Sequence, residues 1–466
     1  MSLRSAFFFI TALLLMVTPA VAQDAQPGAP GIGDSRYPEF GNGGYDVQLY
    51  DLNLTVDPEA GTLDGVVTID AIATADLSSF NLDLVGFDVL EATVEHAPAE
   101  VSRDGQELTI MPETVLVTGS KFTATIHYAG VPEEMQSQGF AGLTGWINYG
   151  DGIFVMSEPD GAASFYPVND HPLDKALYTL AITVPEPYTV ATNGVVSEII
   201  DNGDTTTTIS AVNAPMASYL TTINIARFEL VEDVSGNGVP IRNYFDAGIP
   251  ADARRVIARQ GEMLDFYESL FGAYPFDVYG AVVVNTVTES ALEAQTLSLF
   301  GSDIFTDTDP LEMELFVAHE LSHQWFGNSV TIADWRDIWL HEGWATYCEG
   351  LWIEHAHGAD AFNDWVATIY EYAGEDSETY PPPGDPPAED VLNYSVYERG
   401  GMTLHALRLE VGDADFFAIA RTWLERYQYG NATTEDFIAV VNEVTGDDYT
   451  DFFTAWLYRK ALPELP

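Results

Sequence analysis

Two periodicities divide the chain. From Tyr45 to about Ile225, apolar and polar residues alternate in short runs, as in Asp46-Val-Gln-Leu-Tyr-Asp-Leu-Asn-Leu-Thr-Val56 and Leu63-Asp-Gly-Val-Val-Thr-Ile69. Gly, Asp and Pro break these runs at the spacing typical of antiparallel strands. A period of two sets one face of each strand on a core and the other in water, so an antiparallel β-sandwich or saddle is expected here. From about Arg254 the apolar spacing becomes helical, as in the stretch Val256 to Leu270. Gly236, Gly238 and Pro240 cluster between the two regimes. The expected architecture is therefore α+β and multidomain: a β domain over 43–228, then a mainly α-helical domain over 229–466. Tyr380 to Pro387 (YPPPGDPP) is expected to be a rigid loop, because consecutive prolines forbid helix and central strand alike.

The chain opens with a different pattern. Arg4 precedes an apolar run of 12 residues, Ala6 to Val17, and Ala20-Val21-Ala22 supplies a small-x-small cleavage signal. The run is short for a bilayer span and no stop-transfer pattern follows it. Residues 1–22 are thus expected to be a signal peptide cut after Ala22, which predicts a secreted or periplasmic protein without stable membrane insertion. Residues 23–42 are Pro/Gly-rich and unpatterned, and are expected to form a flexible tether.

Composition narrows the chemistry. The 466 residues carry 72 Asp+Glu against 17 Lys+Arg, a formal net charge of −55. Such a field repels polyanions and argues against a nucleic-acid partner. With 47% hydrophobic residues the chain still has the makings of a packed core. Its single cysteine, Cys348, excludes an internal disulfide and any metal site built on several thiolates. Metal chemistry, if present, has to use histidine and carboxylates.

His319-Glu320-Leu321-Ser322-His323 does so. Thr308 or Asp309 as N-cap, Pro310 in the first turn and Gly327 as a stop place this string on a helix. Four helical residues rotate by about 400°, so His319 and His323 project from one face and can bind a single zinc ion. Glu320 lies beside them as a general base for water. A second helical stretch, Asp337 to His357, carries Glu342, with 18 residues between it and His323. A glutamate in the apolar setting of Trp339, Leu340 and Trp344 needs a cationic partner, and it completes the three-ligand set of a catalytic zinc site, one ion per chain. His341 diverges by about 100° from Glu342 and reads as a supporting or core histidine.

The stretch from His319 to Glu342, followed by Gly343, resembles the M1 family of zinc aminopeptidases, and four further segments carry the same likeness. Glu158-Pro159 with Tyr166 to Pro172 is similar to the family's substrate-facing segment. Ser290-Ala-Leu-Glu-Ala294 stands where the family has its Gly-x-Met-Glu-Asn exopeptidase motif. Tyr397-Glu-Arg-Gly400 is similar to its Tyr-Glu-Lys-Gly. Phe452 to Tyr458 resembles the end of its catalytic domain.

The resemblance implies a thermolysin-like catalytic domain and hydrolysis of peptides that carry a free N-terminus. It assigns the substrate amine to Glu158 and Glu293 and the oxyanion to Tyr397, with Tyr394 as a competing phenol. It also places Ala291 and Leu292 against substrate. Ser290, Leu292 and Ala294 depart from the exopeptidase motif, and His341 stands where the family usually has Asn. Pro466 falls where the catalytic domain is expected to close, so the family's C-terminal helical domain is expected to be absent and the cleft more open. A zinc endopeptidase with an open cleft, or a catalytically silent peptide-binding module, are the alternative readings, and the sequence leaves the oligomeric state open.

Overall fold

In a computed structural model, residues 25–466 are described; the expected signal peptide lies outside them. The alternating runs form strands as the pattern demands. In Tyr45–Asp57 nearly every second side chain is buried. That strand lies near the middle of an eight-stranded sheet, in the order Val195–Asp201, Thr205–Met216, Ala176–Pro185, Tyr45–Asp57, Thr62–Ala73, Lys121–Gly130, Asp88–Val94 and Ala97–Pro98. Within this sheet one contact departs from the expected antiparallel arrangement: Ala176–Pro185 runs parallel to Tyr45–Asp57. The long excursion between these two strands, more than a hundred residues, lets the chain return in either direction, a freedom that a tight hairpin lacks.

Two smaller sheets complete the β-rich half. One pairs Gln26–Pro27, Leu77–Asp83, Glu107–Met111 and Glu100–Asp104; the other includes Ile153–Met156, which leads into Glu158. Beyond it, Glu229–Val234, Pro240–Phe245, Tyr279–Val284 and Ser298–Gly301 build a four-stranded sheet, and helices dominate the remainder. Among the described residues no helix is long and apolar enough to cross a membrane. Cys348 is a buried free thiol.

The segment expected to be a flexible tether is packed. Asp34, Tyr37, Phe40 and Asn42 are all buried. Asp34 Oδ1 accepts from the backbone N–H of Arg36 (2.7 Å) and Tyr37 (2.8 Å). Its Oδ2 accepts from Trp335 N–H at 2.8 Å and lies 3.1 Å from His171 Nε2. Tyr37 donates its hydroxyl to Ala388 O at 2.6 Å. Pro and Gly set the absence of regular structure here, but a non-repetitive segment can still be fixed when its polar groups find buried partners.

Candidate active site

The helix Pro310–Ser322 starts as its sequence dictates, with the Asp309 carboxylate accepting from Leu311 N–H at 2.9 Å and Pro310 in the first turn. It stops earlier than the expected Gly327. His323 is its C-cap, still in the right-handed helical region, so the i,i+4 relation between His319 and His323 survives. Their rings lie 4.8 Å apart. The helix Trp339–His357 brings up Glu342, whose Oε2 is 3.2 Å from His319 Nε2 and 3.5 Å from His323 Nε2. All three residues are buried.

The two imidazoles are held from behind. His319 Nδ1 is 2.7 Å from Glu349 Oε1, and His323 Nδ1 is 3.0 Å from the carbonyl oxygen of Phe326. Acceptors at both Nδ1 atoms keep the proton there and turn the Nε2 lone pairs towards Glu342. Burial would raise the Glu342 carboxyl, but positive charge on the facing His323 and His319 holds it far below the usual range, and a cation bound in their place acts in the same direction. Two inward lone pairs and an ionised carboxylate, their ligand atoms mutually within 4.8 Å, are a donor set that fits one zinc ion.

Glu320 is buried next to the triad, and burial pushes its carboxyl up to about 8 against the opposing effect of His319 and His323. Tyr397 stands in the first turn of the helical segment Tyr394–Tyr427, which breaks at Gly412 and which Asn393 caps by accepting from Ser395 N–H at 3.1 Å. Its ring stacks on His319, centroids 6.0 Å apart. Burial and the charges of Glu342, Glu158 and Glu320 push the phenol well above its ordinary value, so it remains a donor. Arg399 is fully buried and donates to the carbonyl oxygens of Trp456 and Arg459. The Tyr-Glu-Arg-Gly motif thereby fastens the C-terminal segment to the site helix.

Glu158 and Glu293 arrive from opposite halves of the molecule. The Glu293 carbonyl accepts from Gln324 Nε2 (2.9 Å) and Asn328 Nδ2 (2.7 Å), both just beyond the first motif helix. Asn193 of the β-rich half donates to Gln295 O at 2.7 Å, and Gly194 N–H to Thr296 Oγ1 at 2.8 Å. Each carboxylate has a buried Oε1 without a hydrogen-bond partner. Both are pushed upward, first by burial; at Glu158 the negative charge of Glu293 adds to this.

Two expected substrate contacts are placed elsewhere. Tyr394 is 62% exposed and packs edge-on against Tyr380, on the solvent side of the helix start. Leu292 is buried with Leu297 and Leu299 and exchanges both backbone hydrogen bonds with Leu299, so its side chain belongs to a core cluster. Ala291 is partly buried against the main core. Sequence reasoning missed Glu349 and Tyr219. Glu349 stands seven residues beyond Glu342, two helical turns along the same face, so the period itself contains its signal. Tyr219 has a buried hydroxyl without a partner, and after burial the charges of Glu293 and Glu158 are the main opponents of its ionisation. No local pattern marks it.

A β-rich domain joined to a helical one that carries a buried His–His–Glu triad defines a zinc metallopeptidase scaffold. The Peptidase family M1 domain matches residues 257–456, and the Peptidase M1 N-terminal domain matches residues 47–220. An M1 zinc metallopeptidase from Deinococcus radiodurans, solved in a mutant form with a Tyr-Ser-Ala substrate, superposes with a TM-score of 0.85 at 31% identity, over 94% of this chain and 99% of that one. Aminopeptidase M1 of Arabidopsis thaliana is 24% identical over 92% of this chain and 52% of its own length. Human glutamyl aminopeptidase is 28% identical over 66% of this chain and 34% of its own length. The chain belongs to peptidase family M1. It spans about half the length of the first of these curated relatives and about a third of the second.

Proposed function

We propose that the protein is a zinc aminopeptidase that removes N-terminal residues from peptides. The observation that carries this reading is the Glu158–Glu293 pair: a half-buried and a buried carboxylate, each with a buried, unpaired oxygen, beside the triad. A pair of this kind stabilises a protonated α-amine through charge-assisted hydrogen bonds and has no comparable use for an internal peptide segment. Zinc bound by His319, His323 and Glu342 would supply Lewis acidity towards the scissile carbonyl and towards water.

The chain's own groups do the rest. Glu158 and Glu293 fix the substrate N-terminus. Glu320, as the carboxylate, takes the proton of the attacking water, whose oxygen bonds to the carbonyl carbon. It then delivers that proton to the leaving nitrogen as the C–N bond breaks. The Tyr397 hydroxyl donates to the carbonyl oxygen as negative charge develops on it. The substrate captured by the Deinococcus relative, a short peptide, supports the same substrate class here.

Paired free and N-acetylated peptides test the reading. Cleavage of the free peptide only, abolished in Glu320→Gln with zinc still bound, is expected. Equal cleavage of the acetylated peptide would establish an endopeptidase instead. We further propose export, with the chain cut after Ala22; N-terminal sequencing of the mature protein should begin at Gln23, and an intact Arg4 would refute it.

A further inference from the structure

A second cluster of potential ligands adjoins the amine site. His341 offers a ring nitrogen within 4.8 Å of a carboxylate oxygen from each of Glu158 and Glu293, which are equally close to one another. By composition it looks like another metal site. Its hydrogen bonds say otherwise. His341 Nε2 accepts from the backbone N–H of Ile332 at 3.0 Å. A backbone amide can only donate, so the lone pair is on Nε2 and the proton of the neutral ring is on Nδ1.

Nδ1 is buried without a partner, in a residue only 1% exposed. His319 and His323 are wired in the opposite sense, with Nδ1 satisfied from behind and Nε2 turned to the triad. A ring that presents N–H cannot ligate a cation through that nitrogen, but it can donate to a carboxylate. The His341 Nδ1–H thus joins the Tyr219 hydroxyl as an unsatisfied buried donor beside two carboxylates that each hold an unsatisfied oxygen, where leaving such groups unmade is costly. The bond is not made in this structure; the groups lie within 4.8 Å of one another.

We infer that His341 is a positioning residue for amine recognition: its Nδ1–H holds one carboxylate oxygen of the Glu158–Glu293 pair, so that the remaining oxygens converge on the substrate ammonium. This rests on the aminopeptidase reading above. The donor orients the pair without adding a positive charge that would compete with the ammonium.

Two substitutions separate this role from a structural one. In His341→Asn the side-chain amide nitrogen replaces Nδ1, keeping the donor and losing the acceptor for Ile332. In His341→Gln the amide oxygen reaches the Nε2 position, keeping the Ile332 contact and losing the donor. With aminoacyl anilides, His341→Gln should raise KM roughly tenfold, as for a lost hydrogen bond to a charged group, with kcat within about twofold and the Tm unchanged. His341→Asn should keep KM within about threefold and lower the Tm. Metal analysis of the wild type should give one zinc per chain.

A wild-type KM in His341→Gln overturns the inference, as do parallel losses of kcat and Tm in both variants, or a second zinc per chain. The wild type's preference for free over N-acetylated peptide is measured alongside. Absence of that preference defeats the aminopeptidase reading itself, whereas an intact preference with an unchanged His341→Gln defeats only the role of His341.

Discussion

Asp34→Asn isolates the contribution of the packed N-terminal segment. The carboxylate is fully buried and has four donors around it: Arg36 N–H and Tyr37 N–H on Oδ1, Trp335 N–H and the His171 ring on Oδ2. His171 Nδ1 accepts from Leu173 N–H at 3.1 Å, so its proton sits on Nε2 and points at Asp34. An asparagine of the same shape keeps the Oδ1 bonds but sets its own amide N–H group against two donors. Leaving two buried donors, Trp335 N–H and His171 Nε2–H, without their acceptor costs on the order of 1–3 kcal/mol each. At roughly 2–4 °C per kcal/mol for domains of moderate size, Tm should fall by about 10 °C.

The effect should also reach the site. Trp335 opens the turn Trp335–Asp337 that leads directly into the helix carrying Glu342. Differential scanning calorimetry with and without a zinc chelator measures both quantities. Asp34→Asn is expected to melt earlier and to release zinc at a lower chelator concentration. A variant within about 1 °C of wild type would show that the segment acts as the loose tether its composition suggests, and would refute the reasoning.

Three further outcomes are expected. In Gly343→Ala the new Cβ would lie 2.8 Å from the Gly400 carbonyl carbon and 2.9 Å from its Cα, so the helices bearing Glu342 and Tyr397 must separate; a cost of about 1–3 kcal/mol and reduced kcat should follow, and a wild-type Tm would contradict the contact. Glu349→Ala removes the acceptor behind His319 and should weaken zinc binding roughly 10–100-fold in a chelator competition, while unchanged affinity would deny Glu349 that role. Burial pushes Asp174 and Glu107 up to about 7 and Asp160 up to about 6, so at these three groups the folded chain binds more protons than the unfolded one above about pH 4, against the opposing shift of Lys175, pushed down to about 7. Stability should therefore fall as pH rises from 6 to 8 with zinc in excess; a Tm that rises over that interval would reverse the sign.

The sequence by itself determined what short-range repetition encodes. Alternation marked Tyr45–Asp57 as a half-buried strand, and a four-residue step on a capped helix placed His319 and His323 on one face, because backbone geometry fixes side-chain direction over a few residues. The same logic extends to Glu349, seven residues beyond Glu342. What the tertiary structure decided are the meetings between distant segments. Glu158 and Glu293 stand 135 residues apart and are brought together by the grip of Asn193, Gln324 and Asn328 on one loop.

The corrections have the same origin. Leu292 turns into a core, Tyr394 turns outward, and Asp34 is anchored to a backbone amide 301 residues away. His341 shows the division within a single residue. Its presence beside Glu342 is plain in the sequence, but which nitrogen bears the proton depends on Ile332 N–H, a donor on a separate segment of chain. Such hydrogen bonds depend on which surfaces pack once the chain has collapsed, and no local period carries that information.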